Sequence, residues 1–139
     1  MCVYKLSKSC SEKVIIFPNV CLINLPNLII GTNVSIHENS YIDCFGCLEI
    51  GNSVAISHNC SILTFDHVID QKDISIKDAG AVSDSVYIGS NVWRGAGSRV
   101  LKGVRIMDGC VLAAGSVVNK DTHENGIYAG VPAKLIRNR

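Results

Sequence analysis

Large apolar residues recur every six positions through most of this 139-residue chain. Ile88, Val100, Ile106, Leu112 and Val118 hold that spacing, with Arg94 in the single slot among them that is not apolar. Upstream, Ile30, Ile36 and Ile42, then Ile50, Ile56 and Ile62, occupy the same kind of slot. An aliphatic every six residues always points inward if the chain makes three short flat sides per coil, with about eighteen residues to a turn. The pattern predicts an all-β, single-domain parallel β-helix, a prism whose core is a stack of aliphatics. Between Val14 and Val118 it makes about five coils, each rising about 4.8 Å as neighbouring strands do.

Two further positions are coupled to the aliphatic one. Four places after it stand only small or slender residues: Val34, Ser40, Val54, Cys60, Val92, Ser98, Val104, Cys110 and Ser116. A position close to a corner of the prism has no room for more. Three places after it the chain must turn, and a positive φ suits Gly freely and Asn better than most residues. Asn33, Asn39, Asn59 and Asn91 fill that slot, followed by Gly97, Gly103, Gly109 and Gly115, with Ser53 as the exception.

The breaks in the repeat mark the other parts of the domain, which spans residues 1–139. Before Ile30 the phase is ragged and Pro18 and Pro26 remove sheet donors, which predicts an atypical capping coil over residues 1–29. The largest break separates Ile62 from Ile88 by 26 residues. A loop over residues 63–87 must leave the prism there, and solenoids commonly bind ligands on the face that carries such insertions. After Val118, residues 119–139 read as a polar loop, then a last short strand over Ile127–Val131 that Pro132 ends.

Charge narrows the possible partners. The chain has 13 basic and 12 acidic residues, a net charge of +1, which argues against nucleic acid or an anionic membrane as the main partner. No window approaches the roughly 18 apolar residues of a membrane span. Seven cysteines and no apolar stretch after Met1 fit a reduced cytoplasm. Cys44 and Cys47 form a C-x-x-C pair that lacks a second pair for tetrahedral zinc, so a turn with two buried thiols is expected. Lys120, Lys134, Arg137 and Arg139 make the C-terminal end basic, as either a solvated tail or a phosphate site.

The insertion contains Thr64-Phe65-Asp66-His67-Val68-Ile69-Asp70. An imidazole suits the removal of a hydroxyl proton in acyl transfer, although one histidine in a polar loop is not by itself a site. Asp66 and Asp70 are candidate orienters of that ring, and the spacing does not choose between them. Cys60 sits in a slender corner slot where packing explains it. His58 and His123 read as surface residues. Arg94 stands in an inward slot where an unpaired guanidinium is very costly. It either snorkels to solvent at a loosened coil or lies beside a bulged wall and reaches the site.

With its coupled aliphatic, corner and slender positions, the chain resembles the hexapeptide-repeat acyltransferases of the left-handed parallel β-helix kind. The handedness is implied by the resemblance alone, since parallel crossovers are nearly always right-handed. The loop Asp66-His67-Val68-Ile69-Asp70 is similar to the one that carries the catalytic base in galactoside, maltose and xenobiotic acetyltransferases. The resemblance therefore implies that His67 is the base. His37 stands where galactoside acetyltransferases carry an asparagine that contacts acceptor and base, so it is a candidate acceptor-binding residue, with Arg94 as a second. The densest resemblance runs from Ile88 to Ala133 and includes Val92-Trp93, Leu112-Ala113-Ala114-Gly115-Ser116-Val117-Val118 and Ala129-Gly130-Val131-Pro132-Ala133. In that family this region lines the coenzyme A groove. Ala96 and Ala114 would let the pantetheine arm lie close to the backbone, Asn119 and Lys120 would flank it, and Lys134 and Arg137 would meet the nucleotide phosphates. Trp93 would flank the groove or pack at a subunit contact.

The implied activity is acetyl-CoA-dependent O-acetylation of a hydroxyl on a sugar or oligosaccharide acceptor, such as a surface-polysaccharide precursor. The implied assembly is a cytoplasmic homotrimer with sites between adjacent prisms and no metal. An amino-sugar N-acetyltransferase and a hexapeptide scaffold without activity are the alternatives.

Overall fold

The computed structural model describes residues 7–139, so the first six residues of the expected cap lie outside the described part. Five complete coils follow one another. The first is β1 (Ser9–Cys10), β2 (Val14–Ile16) and β3 (Cys21–Ile23); the second is β4 (Leu28–Ile30), β5 (Val34–Ile36) and β6 (Tyr41–Asp43). The third, β7 (Leu48–Ile50), β8 (Ala55–Ile56) and β9 (Ser61–Ile62), gives way to a hairpin of β10 (Phe65–His67) and β11 (Ala81–Ser83). The fourth is β12 (Val86–Ile88), β13 (Trp93–Arg94) and β14 (Arg99–Val100), and the fifth is β15 (Arg105–Ile106), β16 (Val111–Leu112) and β17 (Val117–Val118). Two longer strands, β18 (Gly126–Gly130) and β19 (Ala133–Asn138), close the chain.

Each face of the prism is one parallel sheet. Face one has the order β1-β4-β7-β12-β15 and face three the order β17-β14-β9-β6-β3. Face two has the order β19-β18-β16-β13-β8-β5-β2, all parallel except β19, which pairs antiparallel with β18. The register stacks like on like: Cys10, Ile30, Ile50, Ile88 and Ile106 lie opposite one another on face one. Ile30, Ile36, Ile42, Ile50, Ile56, Ile62, Ile88, Ile106 and Leu112 are at most 1% exposed and fill the interior. Each strand is only two or three residues long in these coils, so stability comes from this stack rather than from any one strand.

The corners turn as their residues predict. Asn33, Asn39, Asn59 and Asn91 have φ of 56–58°, and Gly97, Gly103, Gly109 and Gly115 have φ of 69–76°. Ser53, the exception in composition, takes the same conformation at 56°.

The N-terminal segment is more regular than a ragged cap. β1, β2 and β3 pair in register with the second coil, and Cys10, Ile16 and Leu22 pack against the core at the six-residue spacing. Lys13 and Asn19 supply positive-φ corners at 59° and 60°. Pro26 is accommodated in a short 3-10 turn over Leu25–Asn27, outside any ladder. The C-terminal end also differs: the chain continues past Pro132 into β19, so Lys134 and Arg137 stand on a paired strand rather than in a free tail.

Both expectations for Arg94 are corrected. Its side chain neither snorkels nor reaches the surface; it is 0% exposed inside the prism. The reason lies in one corner. Val34, Val54 and Val92 stack at the corner of faces one and two, whereas Ser40, Cys60, Ser98 and Ser116 stack at the corner of faces two and three. Arg94 Nη2 donates to the carbonyls of Ser61 and Ser98 at 2.9 and 3.1 Å, and Cys60 Sγ lies 3.4 Å from Ser98 Oγ. Among the described residues, Arg94 Nε and Nη1 have no partner. Burial pulls the guanidinium down to about 10, a fall that the nearby Cys60 partly opposes.

Arg94→Ile, which restores the aliphatic ladder, is expected to stabilise the fold by about 1–4 kcal/mol, read as a higher Tm. The folded-state pKa is the lower one, about 10 against 12.5, so the penalty is full below pH 10 and fades only as pH rises beyond it. The advantage of the variant should therefore be constant from neutral pH to about pH 9.

Candidate active site

The hairpin β10–β11 leaves the prism at the corner of faces three and one. Phe65, Asp66 and His67 pair antiparallel with Ser83, Val82 and Ala81, and residues 68–80, in which exposed Ile69, Ile74 and Ile76 are interspersed with charged side chains, form its tip. What fixes its root is the turn Cys44-Phe45-Gly46-Cys47 one coil below. Gly46 N–H donates to Thr64 Oγ1 at 2.8 Å, Thr64 Oγ1 donates to the Asp43 carbonyl at 3.1 Å, and Asp84 N–H donates to the Thr64 carbonyl at 3.0 Å. The Phe45 and Phe65 rings meet edge to face with centroids 5.7 Å apart. Gly46 is required here because a Cβ would stand 2.5 Å from Thr64 O and 2.8 Å from Asp84 O.

His67 is exposed and lines an open concavity of about 490 Å³ with Asp66, Val68, Ile69, Asp70, Val82 and Lys102. The aspartates are near His67, but neither is hydrogen-bonded to it. Asp66 Oδ2 instead lies 3.6 Å from Lys102 Nζ, a pair with one partner well exposed and thus of small energetic weight. Lys102 lines this concavity and was not among the candidates in the sequence. The six-residue register carries a signal for it, since Ile62 pairs with Val100 and Lys102 therefore lies one coil above the point where the insertion leaves.

Of the other candidates, His37, Ala96 and Ala114 share a different corner, Trp93, Lys134 and Arg137 lie on face two, and Asn119 and Lys120 stand at the hairpin's corner. His37 stands at the corner of faces two and three, stacked on Phe17 with centroids 4.2 Å apart and 3.7 Å from Glu38. Trp93 is 55% exposed on face two, and its Nε1 donates to Ser57 Oγ at 3.2 Å. Ala96 and Ala114 occupy adjacent coils of the same corner, where Gly115 N–H donates to Ala96 O at 2.8 Å. That edge is open: a Cβ at Gly115 would meet nothing within 4 Å. Lys134 and Arg137 are exposed on β19, at the end of face two. Asn119 and Lys120 follow β17 and are exposed at the corner of faces three and one. Arg94, a candidate for acceptor binding, is sealed in the core and touches neither group. Within one chain, then, the histidine hairpin and the open alanine edge lie at two different corners, on either side of face three.

Residues 85–120 match the bacterial transferase hexapeptide (six repeats) family. A candidate acetyltransferase of Saccharomyces cerevisiae is 37% identical over 134 residues, which is 96% of this chain and 67% of that protein. The chain belongs to the hexapeptide-repeat acetyltransferase family. A maltose O-acetyltransferase of Clostridium difficile 630 has a TM-score of 0.87 and 28% identity, over 98% of this chain and 72% of that one. A galactoside acetyltransferase in complex with coenzyme A gives 0.86 and 29%, over 98% and 67%. The match to these left-handed β-helix acetyltransferases gives the prism the hand that the resemblance implied and that the crossover rule would have reversed. The chain spans 36%, 67% and 55% of three curated relatives. No helix among the described residues is long and apolar enough to cross a membrane.

Gly46→Ala should push the hairpin root off its platform. We expect a loss of about 1–3 kcal/mol in stability, together with faster amide exchange through residues 64–67 and 81–84 than in the wild-type chain.

Proposed function

We propose that this hexapeptide-repeat protein is a cytoplasmic acetyl-CoA-dependent O-acetyltransferase acting on a hydroxyl of a carbohydrate, and that it works as a homotrimer. The observation that carries the reading is the division of candidate residues between two corners. One corner presents His67 on a hairpin; the other presents His37, Ala96 and Ala114 along an open edge. Three copies around an axis bring one copy's hairpin to the next copy's edge, so each interface completes one site. Face two supplies apolar surface for such contacts, with Ile15 56% and Trp93 55% exposed. The solved complex of a galactoside acetyltransferase with coenzyme A supports the choice of donor.

The structure holds features that fit acetyl-CoA as the second substrate. Ala96, Ala114 and Gly115 leave the edge flat, so a slender pantetheine arm can lie against the backbone. Lys134 and Arg137 place positive charge at its end, where phosphates would be held. His67, exposed at the concavity, takes the acceptor hydroxyl proton as the oxygen attacks the thioester carbonyl, and afterwards returns a proton to the leaving thiolate. Lys102 holds Asp66, and either Asp66 or Asp70 of the same loop fixes the tautomer of His67 once the acceptor is bound.

His67→Ala should cut turnover by on the order of 10²–10⁴ with coenzyme A affinity nearly intact, and the acid limb of the pH–rate profile should vanish. Mixing this variant with Ala114→Trp subunits tests the shared site. Each variant alone keeps only residual activity, whereas random trimers from an equal mixture restore about a quarter of the wild-type interfaces. No recovery after verified subunit exchange would place the whole site in one chain.

Lys134→Ala combined with Arg137→Ala is expected to raise the KM for acetyl-CoA more than it lowers kcat, because contacts remote from the reacting carbonyl act by uniform binding. The defect should shrink with a short acetyl thioester that lacks the nucleotide. Thiol release across free sugars, nucleotide sugars and amino sugars identifies the acceptor and separates O- from N-acetylation.

A further inference from the structure

The pair Cys44 and Cys47 does not match the expectation of two buried thiols. Cys44 is 0% exposed in the core, whereas Cys47 is exposed and lines a small concavity of about 140 Å³ with Lys8, Glu49, Tyr87 and Arg105. The two are joined by a tight turn in which Cys47 N–H donates to the Cys44 carbonyl at 3.0 Å. Such a turn holds its first and fourth Cα atoms within about 7 Å, and a disulfide needs about 4.4–6.8 Å. Cys47 is also a backbone oddity. Its φ of 76° lies in the left-handed region, which the chain elsewhere fills with Gly, Asn, Ser or Lys.

We propose that Cys44 and Cys47 form a thiol–disulfide site that reacts with low-molecular-weight disulfides and that its oxidation shifts the His67 hairpin. The exposed thiol reacts first: the Cys47 thiolate attacks one sulfur of the small disulfide, and the first small thiolate leaves. Arg105, over the Tyr87 ring at 4.5 Å, and Lys8 give the concavity cations that suit an anionic reagent such as glutathione disulfide. Cys44 then attacks the Cys47 sulfur, losing its proton to solvent, and the second small thiolate leaves and is protonated. Two protein thiols and one small disulfide thus become one protein disulfide and two small thiols. Burial pushes the Cys44 thiol up to about 12, with Asp43 and Cys47 adding to the effect, so Cys44 cannot initiate and attacks only after the turn moves and opens it to solvent.

The coupling to the hairpin follows from position. One thiol faces the core and the other faces solvent, so closing the bond requires the turn to move. That turn holds Thr64 through Gly46 N–H, packs Phe65 against Phe45, and accepts the Val86 N–H at the Cys47 carbonyl at 3.1 Å. The chain entering the hairpin at Thr64 and Phe65, and the strand β12 that follows it, are therefore anchored on the turn. The thiol chemistry stands apart from the acetyltransferase reading; only an effect on turnover rests on that reading.

The test uses the full chain incubated with glutathione disulfide, followed by alkylation and cleavage after glutamate. Fragment 39–49 contains Cys44 and Cys47 and no other cysteine. The expected result is a fragment two hydrogens lighter than the reduced one, with altered amide exchange at residues 64–67 and 81–84. In Cys44→Ser the fragment should instead retain a glutathione on Cys47. Should that core variant fail to fold, quenching the wild-type reaction at short times must show glutathione on Cys47 before the fragment loses two hydrogens; an adduct first seen on Cys44 overturns the order of attack. A mixed disulfide that persists in the wild-type chain, or a reduced fragment while other cysteines oxidise, overturns the site. Unchanged hairpin exchange in the oxidised chain overturns the coupling.

Discussion

Closure of the coil around its own side chains is the constraint on which everything else depends. Three flat sides and three corners leave an interior about one aliphatic side chain wide, and Ile30, Ile50, Ile88 and Ile106 stack through it with 0–1% exposure. Backbone hydrogen bonds run along the axis, from each coil to the next, so a coil is held only by its neighbours. The interior is therefore spent on packing. A ligand has no place within the prism, and chemistry is confined to its corners, its faces and whatever the chain extrudes.

That confinement explains how the candidate site is distributed. The hairpin is extruded at the corner of faces three and one because the chain departs there after β9 and returns to β12 on face one. It is stiffened at its root by Thr64, Asp84 and the glycine turn beneath them, while its tip carries charged side chains interleaved with exposed isoleucines. The alanine edge at the next corner differs: the coils approach closely only at Gly95, where a Cβ would stand 2.6 Å from Ala114 N, while the outer edge at Ala114 and Gly115 is open because its side chains are small. One corner thus provides a histidine on an extruded hairpin and the other an open edge, and in the proposed trimer a second copy of the chain joins them.

Arg94 shows how much local deviation the stack tolerates. It occupies an aliphatic slot yet stays inside because the corner it faces is lined by Ser and Cys rather than Val, and two carbonyls accept from it. Its remaining donors are unmatched among the described residues, so this slot is held against a desolvation cost that the Ile ladder avoids.

The fold class, the coil period, the positive-φ corners including Ser53, and the place of the insertion were legible in the sequence, because each is dictated by a local requirement repeated every six residues. His67 stood out because it lies in the one long interruption. What only the tertiary structure decided depends on neighbours one coil away and so leaves no mark in a single hexad. The first coil pairs in register although its phase is broken by two extra residues before Ile30. Lys102 reaches Asp66 across coils, β19 turns the basic end into a paired strand, and Cys47 faces solvent while Cys44 faces the core. The fate of Arg94 belongs here as well. A period states which way a residue points, but whether a buried charge finds acceptors depends on which side chains the register stacks beside it.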